Sequence, residues 1–348
     1  MSVTTLEEFL ASHERARGEL GGAVSRAVLG LAAAAVEVRR AIDAQKAALS
    51  SQKQESVNAD GDVQRSLDLQ ADEAFFAAAR QMPVALYASE EQPVPVRLAP
   101  DAPLALAIDP LDGSSNIDCN VSIGTIFSIL PKTGAPDADP VVSFLQCGRE
   151  QLAAGFFVYG PQLTFALTLG AGAQGFVFSP EQGTFVAAQT GFAVAPDTSE
   201  FAINASNYRH WDEPVRLYID DCLTGADGPR GKAFNMRWVA SLVAEAWRIL
   251  VRGGVFLYPG DMRVGYGKGR LRLVYEANPI AMLIEQAGGA ATDTVTRILD
   301  LKPESLHQRA PLVFGAGNEV ARIARYHTDL AGMAERSPLF GHRSLFRA

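Results

Sequence analysis

The sequence predicts an α/β protein of two domains. Its 348 residues exceed the size at which a single hydrophobic core usually stops growing. Apolar residues make up 48% of the chain and charged residues 20%, which is the balance of a globular protein. Along the chain, apolar residues first occur at helical spacing and then in short runs typical of strands. After a polar break at 195–199, helical and strand patterns alternate. We therefore place the domains at residues 1–196 and 197–348.

The N-terminal region predicts three helices. Thr4, with Glu7 three residues later, fits a capping box at the start of the first helix. Apolar residues at helical spacing predict a second helix over 22–49 and a third over 68–80. The polar segment 50–61 between them predicts a mobile loop.

Short apolar runs separated by Gly, Pro and Asp predict the strands of both domains. In the first domain they cover 84–89, 104–108, 122–130, 152–158, 164–169, 175–178 and 184–188. In the second domain strands are predicted at 201–204, 255–258 and 312–315, and helices at 213–222, 239–250 and 279–287. This alternation is typical of sheets covered by helices.

Charge and cysteine content exclude several classes of protein. The net charge is −8 and no Lys/Arg-rich block occurs, which argues against nucleic-acid binding. Cys119, Cys147 and Cys222 lack CxxC spacing and predict reduced thiols rather than disulfides or zinc. The apolar stretch 27–36 is too short to span a bilayer, and the N-terminus lacks a signal-peptide core. We expect a cytoplasmic protein without a membrane partner.

The strongest functional signal is the run DPLDGSSNID at 109–118. An apolar strand leads into it, so Asp109 and Asp112 are expected at the edge of a sheet, across a turn made by Pro110. The segment 113–115 (Gly-Ser-Ser) can present N–H groups and hydroxyls to a phosphate. Carboxylates beside a phosphate cradle suit Mg²⁺. The plain alternative, an Asp-Gly hairpin turn, does not require Asp109 or the two serines.

Two further acidic pairs precede this run. Glu90 and Glu91 follow the strand at 84–89, and one of them could share a metal. Taken alone, the pair is also typical of an exposed acidic turn. Asp62 and Asp68 follow the polar loop, and Asp68 alone is better explained as a helix N-cap.

Glu276 is the last of the candidate ligands. It is expected to end an apolar strand at 271–275, just before a helix that begins at Pro279. Two metal ions a few ångströms apart need about five to seven carboxylate oxygens. The residues that can supply them are Glu90, Asp109, Asp112 and Glu276.

With these motifs the sequence resembles class I fructose-1,6-bisphosphatase, and the matches keep their order along the chain. The matching segments are GDVQRSLD (61–68), SEE (89–91), DPLDGSSNIDCNVSIGTIFSI (109–129), the segment around Asn204, GGVFLYP (253–259), GRLRLVYEANPIAMLIEQAGG (269–289) and LHQRAP (306–311). The wider Mg²⁺-dependent, Li⁺-sensitive phosphatase superfamily shares DPLDG and AGG, whereas LHQRAP and FLYP point to the bisphosphatases. The resemblance implies a layered α-β-α-β-α fold of two mixed-sheet domains.

The resemblance also implies roles for individual residues. The metal ligands would be Glu90, Asp109, Asp112, Glu276 and the carbonyl of Leu111. The phosphate being removed would be held by Asp112, Gly113, Ser114 and Ser115. The residues that help to activate water would be Glu91 and Asp68, with Asp62 grouped beside them. The sugar and its retained 6-phosphate would contact Asn204, Tyr258 and Arg270, with Arg237 reaching into a neighbouring subunit.

The implied activity is Mg²⁺-dependent hydrolysis of the 1-phosphate of fructose 1,6-bisphosphate, in gluconeogenesis or the Calvin cycle. Mn²⁺ could replace Mg²⁺, two or more ions would bind per subunit, and the assembly would be a homotetramer. One alternative is a sedoheptulose-1,7-bisphosphatase or a dual-specificity enzyme. Another is an inositol or nucleotide phosphatase of the same superfamily. A metabolite-sensing relative without activity is disfavoured because the carboxylate set is intact.

The chain departs from the family pattern at four places. Trp238 stands where the family has Tyr, and Arg270 stands where it has Lys. The two segments that bind AMP in the family are replaced by Arg-Gly-Glu-Leu-Gly-Gly at 17–22 and Pro-Leu at 103–104. These replacements remove hydroxyls and a cation, so we predict a degenerate AMP site.

Overall fold

The computed structural model describes residues 4–51, 60–135 and 137–329, and the side chains of 45–66 lie outside this description. The helices of the described part are α1 (Leu6–Ser51), α2 (Asp60–Ala79), α3 (Glu213–Thr224), α4 (Leu242–Arg252), α5 (Asn278–Gln286) and α6 (Gly317–Thr328). One continuous α1 takes the place of the two helices predicted at its ends. It is broken only at Gly18, whose φ of 63° is non-helical.

The strands form two mixed sheets and one short pair. The first eight are β1 (Val84–Ser89), β2 (Val96–Arg97), β3 (Leu104–Asp112), β4 (Ile123–Pro131), β5 (Ala153–Tyr159), β6 (Leu163–Thr168), β7 (Ala173–Ser179) and β8 (Thr184–Gln189). The others are β9 (Glu200–Ala202), β10 (Asn235–Met236), β11 (Val255–Tyr258), β12 (Leu271–Arg272), β13 (Ala290–Thr292), β14 (Arg309–Ala310) and β15 (Leu312–Gly315).

The larger sheet has the order β2-β1-β3-β4-β5-β6-β7-β8. Its β1 and β3 are parallel, and its other neighbouring strands are antiparallel. The smaller sheet has the order β10-β9-β11-β15-β13, in which the first three strands are parallel to one another. β12 pairs with β14 outside both sheets. Both sheets are therefore mixed, as expected.

Alternating strand residues separate the helical layers. In β5, Phe157 packs with α1 and α2, whereas its neighbour Phe156 packs with α4 and α5 on the other face. In the smaller sheet, Phe256 faces the same α4 and α5 layer, and Leu257 faces α3 and α6. The order of layers is thus helices, larger sheet, helices, smaller sheet, helices. The expected α-β-α-β-α fold is confirmed.

The first helix is a core element of this fold. By length and composition alone, Leu6–Ala44 could cross a membrane, but 67% of its most apolar window is buried inside the protein. Val28, Leu31 and Ala35 are fully buried against the larger sheet and α2. Its apolar character is therefore explained by packing within the protein.

Several local predictions were wrong or incomplete. Asp68 lies inside α2 and does not cap it, because α2 begins at Asp60. Of the predicted loop, residues 52–59 lie outside the described part of the chain. The strands β2, β10, β13 and β14 were missed, since runs of two or three residues carry no periodicity. The 12-residue helix α6 was also missed. The domain boundary at residue 196 stays a prediction.

Candidate metal and phosphate site

A bulge in β3 brings Asp109 and Asp112 together. Residues three apart in a regular strand point to opposite faces of the sheet. Here Asp109 pairs with Ile126 and Asp112 pairs with Gly124, so β3 contains one residue more than β4 over this stretch. The predicted turn at Pro110 is therefore wrong, because the strand continues through Asp112. The extra residue places both carboxylates on one face.

Glu276 completes a cluster of three buried carboxylates. One carboxylate oxygen from each of Asp109, Asp112 and Glu276 lies within 4.8 Å of the other two. The prediction that Glu276 ends a strand is wrong, because only 271–272 is extended. Glu276 lies in a π-helical turn at Leu273–Ala277 that runs directly into α5. This turn lets a residue in the middle of an apolar run project a carboxylate into the site.

Backbone amides orient the three carboxylates. The N–H of Leu111 donates to Oδ1 of Asp109 at 3.1 Å. The N–H of Val243, in the first turn of α4, donates to Oδ2 of Asp112 at 3.2 Å. The N–H of Arg272 donates to Oε2 of Glu276 at 2.5 Å. Each side chain is thus held by a different element, so their convergence is a product of the tertiary fold.

Burial and mutual repulsion raise the pKa of every member of this cluster. Burial is the largest cause for Asp109, whose pKa is also raised by Glu90, Asp112 and Glu276. Burial raises the pKa of Asp112 to about 7 and that of Glu276 well above its usual value. Among the described side chains, no Lys or Arg forms an ion pair with any of the three carboxylates. Their oxygens and unbalanced charge fit a hard divalent cation.

Glu90 approaches the same cluster from the end of β1. Its charge raises the pKa values of all three buried carboxylates, which shows that it lies near them. Its Oε1 accepts a hydrogen bond from Nε of Arg272 at 3.1 Å. Arg272 is a residue that sequence analysis missed. Its side chain contacts a residue 182 positions away in the chain, so no local sequence pattern indicates this contact.

The Gly-Ser-Ser segment turns sharply after the bulge. Gly113 has a φ of 77°, and the following residues form a 3₁₀ turn at Ser114–Asn116. The side-chain amide of Asn116 donates to the carbonyl of Ala240 at 2.8 Å, which joins this turn to the residues preceding α4. Ser115 is exposed beside the buried carboxylates, where a phosphate could reach it.

Asp68 and Glu91 lie beside this turn. The pKa of Asp68 is raised to about 6, mainly by burial and also by the charge of Glu90. A hydrogen bond with the hydroxyl of Ser114 lowers it in part. Burial also raises the pKa of Glu91, followed by repulsion from Asp68. A carboxylate with such a pKa can accept a proton near neutral pH. The side chain of Asp62 lies outside the described residues.

The residues expected at the sugar end belong to the second half of the chain. Oδ1 of Asn204 accepts hydrogen bonds from the amide and hydroxyl of Ser206, at 3.2 and 2.6 Å. The ring of Tyr258 stacks on Trp238 with centroids 6.2 Å apart. Arg237 is half exposed beside the edge strand β10, with Nε 3.5 Å from Glu200. Arg270 precedes β12, two residues before Arg272.

Comparisons with known proteins agree over almost the whole chain. The family model for the fructose-1-6-bisphosphatase N-terminal domain matches residues 4–190, and the model for the C-terminal domain matches 194–328. Class 1 fructose-1,6-bisphosphatases from Sinorhizobium medicae and Rhizobium meliloti are 58% and 57% identical over the full length of both chains. The crystal structure of Leishmania major fructose-1,6-bisphosphatase in holo form is similar with a TM-score of 0.83. It shares 28% identity and covers 94% of this chain and 99% of its own.

Proposed function

Because the chain belongs to the class 1 fructose-1,6-bisphosphatase family and hydrolyses fructose 1,6-bisphosphate, we propose that the cluster of Asp109, Asp112 and Glu276 is where the 1-phosphate is removed. The products are then fructose 6-phosphate and inorganic phosphate. The observation that carries the proposal is the convergence of three buried carboxylates, none of which forms an ion pair with a Lys or Arg among the described residues. A gluconeogenic or Calvin-cycle role in the cytoplasm is consistent with this chemistry.

The family implies a divalent metal, and we assign it as Mg²⁺, with Mn²⁺ able to replace it. Two or more ions per subunit would be held by Glu90, Asp109, the Leu111 carbonyl, Asp112 and Glu276. Bound there, the metal supplies a Lewis acid that neutralises negative charge on the phosphoryl oxygens. Hard carboxylate and carbonyl oxygens are the ligands that Mg²⁺ prefers.

The protein's own groups position the phosphate and move the proton. Gly113, Ser114 and Ser115 offer amides and hydroxyls to the phosphate oxygens. Glu91 and Asp68 help to activate the attacking water, and the pKa of Asp68, about 6, suits one of them to accept the water's proton. We group Asp62 with these two residues. Orientation of the phosphate and of the water then accounts for much of the catalysis.

The other end of the substrate carries the phosphate that is retained. We assign its contacts to Asn204, Tyr258 and Arg270, with Arg237 contributed by a neighbouring subunit of a homotetramer. Arg237 is 52% exposed, and its side chain is therefore available to a second subunit. Trp238 stacks on Tyr258 and has no hydroxyl to offer a phosphate.

Phosphate release from a panel of substrates tests the proposal. The panel comprises fructose 1,6-bisphosphate, sedoheptulose 1,7-bisphosphate, inositol 1-phosphate and a nucleotide, each assayed with Mg²⁺, with Mn²⁺ and with a chelator. We expect metal-dependent turnover with the highest kcat/KM for fructose 1,6-bisphosphate. The matched variant Asp109→Asn should lose turnover with either metal. Full turnover in chelator, or an active Asp109→Asn variant, would contradict the site assignment.

A further inference from the structure

The loop after β11, residues 259–270, is closed around Tyr266. The carbonyl of Tyr266 accepts hydrogen bonds from the N–H groups of Asp261 and Gly269 at 3.1 and 2.9 Å. Its own N–H donates to the carbonyl of Arg263 at 3.0 Å. The backbone of Tyr266 is thus held on both sides.

A glycine places the end of this loop against β14. A Cβ at Gly269, which has a φ of 76°, would lie 2.5 Å from backbone atoms of Ala310. Only glycine allows this close approach together with that backbone conformation. Arg270 therefore leaves the loop from a well-defined point beside the β12–β14 pair.

Two guanidinium groups stack on the ring of Tyr266. The Cζ atom of Arg263 lies 4.8 Å from the ring centroid, and that of Arg270 lies 4.9 Å from it. Both distances are within the range of favourable cation–π contacts. Two like charges on one ring repel each other unless one of them is compensated.

The two arginines differ in how their charge is compensated. Nε of Arg263 lies 3.0 and 3.1 Å from the two carboxylate oxygens of Asp261, and its Nη2 donates to Asn207 at 3.1 Å. Arg270 is exposed, and within the described chain its guanidinium forms no hydrogen bond or ion pair. Its contact with Tyr266 orients the side chain but leaves all of its N–H donors available.

We infer that Tyr266 is a positioning residue that holds Arg270 toward the retained phosphate of the sugar bisphosphate. This inference rests on the proposed role of Arg270 in that phosphate site. The planar guanidinium can donate two parallel hydrogen bonds to a phosphate, but a freely rotating side chain loses conformational entropy on binding. Stacking on a ring whose backbone is fixed reduces that loss before substrate arrives.

The test compares Tyr266→Leu with Tyr266→Phe in the full-length enzyme. Removing one exposed cation–π contact should raise KM for fructose 1,6-bisphosphate about three- to fivefold while kcat is retained. The Phe variant keeps the aromatic face and should restore the KM. The inhibition constant of fructose 6-phosphate, which carries the retained phosphate, should rise by the same factor. The inhibition constant of inorganic phosphate should not change.

An Arg270→Met variant separates this inference from the proposed function. We expect it to raise KM further, and Tyr266→Leu should add nothing when introduced into it. If Arg270→Met leaves KM unchanged, the proposed role of Arg270 is wrong and the inference fails with it. If Arg270→Met raises KM and Tyr266→Leu does not, only the role of Tyr266 is overturned. A KM raised equally in the Phe and Leu variants, with a lower unfolding temperature in both, would also overturn it.

Discussion

Replacing Asp112 with Asn should make the metal-free protein more stable while it abolishes phosphate release. The substitution removes one charge from the buried cluster with almost no change in volume. The carbonyl oxygen of Asn can still accept the hydrogen bond that Val243 now donates at 3.2 Å. The main consequence is therefore electrostatic.

The expected gain in stability follows from the raised pKa. Burial raises the pKa of Asp112 from 3.8 to about 7. At 1.36 kcal/mol for each pKa unit, this corresponds to a penalty of about 4 kcal/mol for keeping the group ionised. The folded state binds this proton more tightly than the unfolded state. In chelator, ionised Asp112 therefore destabilises the fold in a pH-dependent way. The penalty is absent below its pKa in the unfolded chain, 3.8, grows as the pH rises, and is complete above its folded-state pKa of about 7.

Thermal unfolding in chelator at pH 8, together with phosphate release in Mg²⁺, measures both effects. We expect Asp112→Asn to unfold about 5 °C above the unaltered protein in chelator. Saturating Mg²⁺ should raise the unfolding temperature of the unaltered protein and have a smaller effect on the variant. Turnover should fall by about a hundredfold or more, because a lost ligand weakens charge neutralisation at the phosphate.

A matched control comes from the same segment. Asp118 is exposed, so Asp118→Asn should leave the unfolding temperature in chelator unchanged. The reasoning is refuted if Asp112→Asn unfolds at or below the temperature of the unaltered protein in chelator at pH 8. It is also refuted if that variant retains near-normal turnover at saturating Mg²⁺.

Three other predictions concern sites away from the cluster. Arg237→Ala should raise KM, and activity should fall when the assembly dissociates; a fully active monomer in sedimentation would contradict this. The 700 Å³ cavity at the degenerate AMP place is lined by two carboxylates, Glu14 and Glu19, and one cation, Arg26. Since the segment 17–22 also lacks a hydroxyl, AMP should bind roughly a hundredfold more weakly than a fully charge-assisted site allows. Inhibition by micromolar AMP would show otherwise. His327 donates a hydrogen bond toward the carboxylate of Asp212. Burial lowers the pKa of His327, but this bond raises it, and the net pKa of His327 lies above its ordinary value of 6.5. The stability that His327 contributes is therefore complete below pH 6.5 and is lost as the pH rises through the folded-state pKa, so the cost of His327→Gln should shrink from pH 6 to pH 9. A cost that does not vary with pH would refute this.

Local sequence determined most of the secondary structure. The strands predicted at 84–89, 255–258 and 312–315 have those same bounds, because buried strands are short apolar runs that Gly, Pro and Asp interrupt. The importance of Asp109 and Asp112 was also evident, since turn chemistry alone does not require that combination of carboxylates and serines. The family membership implied by the motifs is confirmed. The roles assigned to individual site residues stay predictions.

Only the tertiary structure decided how the site is assembled. The bulge in β3 depends on its pairing with β4, and the π-helical turn around Glu276 depends on packing between both sheets. Neither changes the pattern of apolar residues from which local structure is predicted. Arg272 and Tyr266 escaped notice for the same reason, because their contacts with Glu90 and Arg270 are spatial. Sequence periodicity reports which face of an element is buried, whereas a site depends on which faces meet.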